Sequence, residues 1–253
     1  MDPKFEPVMP GRQTPLTPMP ARTPGVGMGG RSDQVTLPIA QNTVLRNTYW
    51  LLALSMLPTI AGAFVGMQLN FASLFQSAPI MAPLLMFAAM LGSLFVVTLL
   101  RNSGWGVVAL FGFTFIAGVF LAPILTVAAG FRNGGQLVGL AAGMTAAIFF
   151  AMAAIATVTK RDFSFMGKFL FIGLILLIVA SLANVFFQIP ALSLTVSAIA
   201  VLIFSAYILY DVSNIIRGGE TNYIMATLGL FLNIYNIFIS LLNILLAFTG
   251  QRD

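Results

Sequence analysis

Residues 223–248 read YIMATLGLFLNIYNIFISLLNILLAF, with no charge anywhere along them. About 20 apolar residues suffice for a helix to cross the hydrocarbon core of a bilayer, so the stretch is a spanning helix. Within it Gly229, Asn233, Asn236, Ser240, Asn243 and Ala247 recur at alternating steps of four and three and share one face. Leu230, Phe231, Leu232, Ile234, Ile237 and Phe238 cover much of the rest. Lipid offers amides no hydrogen-bond partner, so this polar stripe must face protein or water. Two readings stand: the stripe bonds neighbouring helices, or it lines a hydrophilic cavity. Either way the helix belongs inside a bundle.

Working back toward the start, sparse charges separate further uncharged runs. Asn47 to Leu100 is long enough for two spans and breaks at Asn70 to Pro79. Arg101 precedes a third span, Gly104 to Val127, and Arg132 with the Asn133-Gly134-Gly135 turn precedes a fourth, Leu137 to Thr159. The polar knot TKRDFSF (Thr159 to Phe165) leads to a fifth, Phe169 to Phe187, and Gln188-Ile189-Pro190 turns into a sixth, Ala191 to Ile215. The loop Arg217 to Asn222 then opens the stretch quoted above. The expected fold is an all-α membrane domain of seven transmembrane helices over residues 44–253.

Composition agrees. Of 253 residues 59% are hydrophobic and 8% charged, with a mean hydropathy of +0.98; soluble domains carry about 25% charged residues. A cytosolic enzyme and a nucleic-acid reader are excluded. The chain has no cysteine and no histidine, which removes disulfides, thiol nucleophiles, imidazole bases and the commonest metal ligands. Its lysines, Lys4, Lys160 and Lys168, all lie outside the spans or at their ends, so a retinal Schiff base and a serine–lysine dyad are also excluded. No catalytic residue, metal or cofactor is expected.

Residues 1–43 differ from all that follows. They hold eight of the thirteen prolines, three Thr-Pro pairs and the cluster Gly25, Gly27, Gly29, Gly30. Such a composition cannot bury enough apolar surface to offset ordering entropy and reads as a disordered tail. It lacks the apolar core of a signal peptide. Ten of the twelve basic residues, among them Arg46, Arg101, Arg161, Lys168 and Arg217, fall on the tail's side of the membrane; only Arg132 and Arg252 fall opposite. The bias places the amino terminus in the cytoplasm and the carboxyl terminus outside. Trp50 and Trp105 fall at the inner interface, where an aromatic belt belongs.

Asp211 is the one acid embedded in an apolar helix, AYILYDVSNII, Ala206 to Ile216. An ionisable group within a span marks a functional site by default. Alternatively Asp211 is interfacial, pairing with Arg217 six residues on or accepting from Asn214. Pro123 cannot donate to the Val119 carbonyl, and a kink is expected there, as a packing feature or as a hinge.

Together VLRNTY (Val44 to Tyr49), TKRDFSF, ILYDVSNII, GGETNYIMAT (Gly218 to Thr227) and YNIFISLL (Tyr235 to Leu242) resemble the Bax inhibitor-1 family, in particular its bacterial YccA-like branch. The resemblance implies six helices around a central seventh, in the bacterial inner membrane. It brings two activities. Some members are pH-sensitive calcium leak channels with an aspartate pair on helices six and seven; the YccA-like branch binds and restrains the membrane AAA protease FtsH and its HflK/HflC partners. Carried onto this chain, the pair becomes Asp211 and Asn233, an amide where channel-type relatives have the second acid. Arg217 stands where relatives often have histidine before the loop motif Gly218, Gly219, Glu220, Thr221, Asn222. One carboxylate cannot form a shared-proton switch, and calcium prefers six to eight oxygens. The expectation is therefore a non-enzymatic modulator of an FtsH/HflKC-like protease, with a leak of Ca2+ or H+ centred on Asp211 as the alternative.

Straight-helix arithmetic puts Asp211 about 9 Å from Arg217 and Asn233 about 20 Å from Glu220. The two can pair only if the loop between the helices sits asymmetrically or the seventh helix starts outside the membrane.

Overall fold

The computed structural model describes residues 32–69, 75, 77–159 and 161–250. Among them seven helices are long and apolar enough to cross a membrane. They are α1 (Ser32–Gln68), α2 (Met81–Leu100), α3 (Gly106–Ala129), α4 (Gly134–Thr159), α5 (Met166–Phe187), α6 (Pro190–Ile216) and α7 (Tyr223–Gly250). The breaks after Leu100, Ala129, Phe187 and Ile216 fall where charge and turn residues put them, except that Gly134 and Gly135, expected in a turn, already belong to α4; most of the expected break at Asn70 to Pro79 lies outside the described residues. The start of α1 differs. Residues 32–43, expected in the tail, are helical, because the proline and glycine density behind that reading stops at Gly30 and only Pro38 follows before Thr43. Residues 1–31 of the expected tail lie outside the described residues.

The helix quoted first is the centre of the bundle. α7 packs against α1, α3, α4 and α6, while α2 packs on α3 and α5 on α6. Leu228, Leu230, Phe231, Ile237 and Leu242 of α7 are all but inaccessible. By contrast Leu99 of α2 and Phe169 and Leu176 of α5 are exposed, as large apolar side chains turned to lipid must be.

The closest helix pair is α1 with α3, and glycine makes it possible. A Cβ on Gly62 would run into the Phe115 carbonyl, and one on Gly118 into the Thr59 carbonyl. One on Gly66 would stand 2.6 Å from the Val119 carbonyl oxygen. That is the carbonyl that loses its i+4 donor to Pro123. α3 nevertheless continues through Pro123 to Ala129. Small residues let two backbones approach in this way, so dispersion and weak Cα–H contacts bind helices that gain nothing from hydrophobicity inside lipid.

One end of the bundle gathers the basic residues. Asn222 Nδ2 donates to the Arg101 carbonyl at 3.0 Å and to Asn102 Oδ1 at 2.9 Å. Ser213 Oγ donates to the Arg161 carbonyl at 3.3 Å, and Arg217 Nε lies 3.8 Å from Asp162 Oδ1. Thr227 Oγ1 lies 3.4 Å from the Thr48 carbonyl, near Arg46. These contacts bring the α2–α3, α4–α5 and α6–α7 loops and the inner part of α1 together. Trp50 and Trp105 belong to the same end, both exposed.

Candidate functional site

The loop between α6 and α7 sets the register of the site. Gly218 has φ of 77°, a conformation that costs any residue with a Cβ. Gly219 N–H donates to the Asn214 carbonyl at 2.9 Å, and its Cα lies so close to Asn214 Oδ1 that a Cβ has no room. The chain then climbs to Asn222, whose Oδ1 accepts from the amides of Ile224 at 3.0 Å and Met225 at 3.1 Å. This is an N-cap. Glu220 Oε1 accepts from the Asn222 amide at 2.8 Å; Thr221 is exposed. The Gly218 to Asn222 motif is thus a turn, a cap and a tie to the α2–α3 loop.

Because of that climb, α7 starts beyond the end of α6. Asp211 lies five residues before the last residue of α6, and Asn233 ten after the first of α7. The offset is five residues, about 7.5 Å of helix, and it resolves the depth mismatch. Asn233 Nδ2 donates to Asp211 Oδ2 at 2.7 Å. Asn233 is 5% exposed. Gly229, one turn earlier, makes room for the carboxyl group: a Cβ there would stand 3.3 Å from Asp211 Oδ2.

Asp211 does not take the interfacial partners weighed for it. The ion pair of Arg217 is with Asp162, because Arg217 caps the end of α6 beside the α4–α5 loop. The Asn214 oxygen is turned to Gly219. Asp162 itself is held below the usual carboxylate range, first by hydrogen bonds from the Ser164 hydroxyl and amide, then by the Arg217 charge.

The rest of the stripe divides. Asn243 Nδ2 donates to Ser193 Oγ and Ser197 Oγ of α6, both at 3.3 Å. Ser240 is buried. Asn236 makes no interhelical bond among the described residues: its Nδ2 donates to the Leu232 carbonyl of its own helix at 2.7 Å. The two polar levels on α6 are separated in sequence by Ile208, Phe204 and Ala200, all buried. One contact and one unpartnered hydroxyl had no signal in the sequence. Tyr235 hydroxyl donates to the Ala117 carbonyl of α3 at 3.1 Å, and Thr48 Oγ1 is buried with no hydrogen-bond partner among the described residues. Both depend on which backbone atoms arrive from another helix.

Residues 41–250 match the family model described as "Inhibitor of apoptosis-promoting Bax1". The chain belongs to the Bax inhibitor-1 family. A relative in Neisseria meningitidis serogroup A, itself uncharacterized, is 43% identical over 215 residues, covering 84% of this chain and 94% of that protein. The protein named "Modulator of FtsH protease YccA" in Escherichia coli K12 is 40% identical over 209 residues, 82% of this chain and 91% of its own length. Its counterpart in Escherichia coli O6:H1, with the same identity and coverage, carries the name "Inner membrane protein YccA". This Bax inhibitor-1 family chain is therefore a multi-pass membrane protein of YccA-like kind, and its all-helical fold is the one its sequence motifs imply.

Proposed function

We propose that the chain is an inner-membrane modulator of an FtsH-like AAA protease, with its amino terminus in the cytoplasm. The observation that carries this is its 40% identity to the modulator of FtsH protease over 91% of that relative. The lack of imidazole and thiol groups supports a binding protein over an enzyme. The rationale is physical. A membrane-bound AAA protease grips an unfolded cytoplasmic segment, and residues 1–43 have the proline- and glycine-rich makeup of one over most of their length. HflK/HflC-like proteins are the further partners that this reading suggests.

The test is affinity purification from native membranes, with the full chain and with residues 1–31 deleted. The full chain should retain the protease and slow its turnover of membrane substrates; the deletion should lose both effects. Equal co-purification and equal turnover with both forms would dismiss the tail as the contact.

A second reading, a cation leak, is favoured by one observation, the meeting of Asp211 and Asn233. A carboxylate beside an amide lacks the shared proton of an acid pair. Any calcium flux into proteoliposomes should be small and nearly equal at pH 6 and pH 8. Asn233→Asp, which restores two facing carboxyls whose joint ionisation is opposed, should make the flux depend on pH. A large, steeply pH-dependent flux from the unchanged protein, lost in Asp211→Asn, would put this reading first.

A further inference from the structure

α1 and α4 both pack on α7, yet they leave between them a groove of about 1200 Å³. Its floor is the α7 ridge Phe231, Ile234, Tyr235 and Phe238. One wall is the α1 stripe Tyr49, Met56, Ile60 and Met67; the other is Val138, Ala142, Ala146 and Phe149 of α4. From Tyr49 to Met67 the groove follows eighteen residues of α1, about 27 Å. That exceeds the roughly 15 Å of hydrocarbon in one leaflet.

The lining is chemically closed along its length and open at one end. Thr59, Thr145 and Thr157 donate to carbonyls of their own helices, and Tyr235 to Ala117. Among the lining side chains, only the Tyr49 hydroxyl is left without a hydrogen-bond partner in the described structure. One turn before it, in register with the α1 stripe, stands Arg46, exposed and with no ion pair or side-chain hydrogen bond among the described residues. A groove whose side chains offer no free hydrogen-bonding group along its length, with a cation and a hydroxyl at the mouth on the basic end, is complementary to an amphiphile with one polar end. A partner's spanning helix would have no use for this one-ended polarity. An apolar void of this size, beside lipid, also forfeits dispersion contacts unless it is filled.

We propose that this groove is a phospholipid site: one acyl chain lies along α7 between α1 and α4, and the phosphate is held by Arg46 and Tyr49 at the basic end of the bundle. Arginine is well suited to phosphate. An anionic headgroup is favoured because Arg101, Arg161 and Arg217 gather at the same end. The site is separate from the Asp211–Asn233 contact and stands independently of the protease reading.

The experiment uses the full chain, delipidated in detergent, and follows its melting temperature as dioleoyl phosphatidylglycerol is added. A saturable rise is expected, with the half-maximal concentration at least fivefold higher for phosphatidylcholine and for Arg46→Gln. Ala146→Phe, which fills the groove, should abolish the rise. Should that variant fold poorly, the absence of cysteine permits a second measurement in phosphatidylcholine nanodiscs. Ala146→Cys, and Ala147→Cys beside it but outside the lining, are labelled with bimane and titrated with brominated phosphatidylglycerol. Quenching at position 146 should saturate at a mole fraction at least fivefold lower than at 147, and Arg46→Gln should erase the difference. Equal quenching at the two positions, or an identical response in Arg46→Gln, would overturn the site. So would disulfide formation between two Ala146→Cys chains that persists whatever lipid is present, since the groove would then hold a second copy.

Discussion

At the residue scale, two asparagines three positions apart do different jobs, and only their partners distinguish them. Asn233 gives its N–H to a carboxylate on another helix, whereas Asn236 gives it to its own backbone. Asn233→Leu should therefore destabilise the bundle by about 1–2 kcal/mol, the upper range for interhelical hydrogen bonds in membranes. Asn236→Leu should cost close to nothing. Unfolding titrations in mixed detergent micelles read both; equal losses would contradict the assignment. Asp162 supports a prediction with a sign. Its carboxyl is held below the usual range in the folded chain, so its contribution is present above the ordinary Asp value of about 3.9 and fades only as pH falls through the lower folded value. Asp162→Asn should thus change stability equally at pH 5 and pH 8. Its exposure keeps that change small. Asp211 and the stripe were legible in the sequence because charges and amides inside apolar runs are rare. What each one bonds was not, since that depends on a stagger of about 7.5 Å set by the six-residue loop Arg217 to Asn222.

At the element scale, spans could be read from charge spacing alone, because lipid forces every backbone bond to close within a helix. The contacts between helices were less accessible. Gly62, Gly66 and Gly118 look like any glycines in apolar helices until α1 and α3 are placed together. Gly118→Val should then be among the most damaging single changes. Its side chain meets a backbone carbonyl that cannot swing aside, and overpacking of this kind costs about 1–3 kcal/mol or more. Gly139→Val, where a Cβ meets nothing within 4 Å, should fold normally. A comparison of expression level and melting temperature separates the two. Asn222→Ala should cost about 0.5–2 kcal/mol through the lost cap, and also release the α2–α3 loop. Limited proteolysis at Arg101 would report that release.

At the scale of the whole molecule, the clustering of the Arg101, Arg161 and Arg217 loops at one end of the bundle leads to a topology test. Reporter fusions after Gln251 and within Asn70 to Pro79 should both report the outside, and a cytoplasmic signal from the first would contradict the orientation. The placement of α7 has a consequence of another kind, in the order of synthesis. The element around which the bundle is built leaves the ribosome only after α1 to α6. At about 5–20 residues per second, its 28 residues take roughly 1.5–6 s to appear. During that interval α1, α3, α4 and α6 have no common partner, and Asp211 sits in the membrane with nothing from Asn233 to receive. A chain that stops short of Tyr223 never leaves this state. Truncated products therefore keep an unfilled centre and, within the membrane, a solitary carboxyl group that is costly to leave unpaired there.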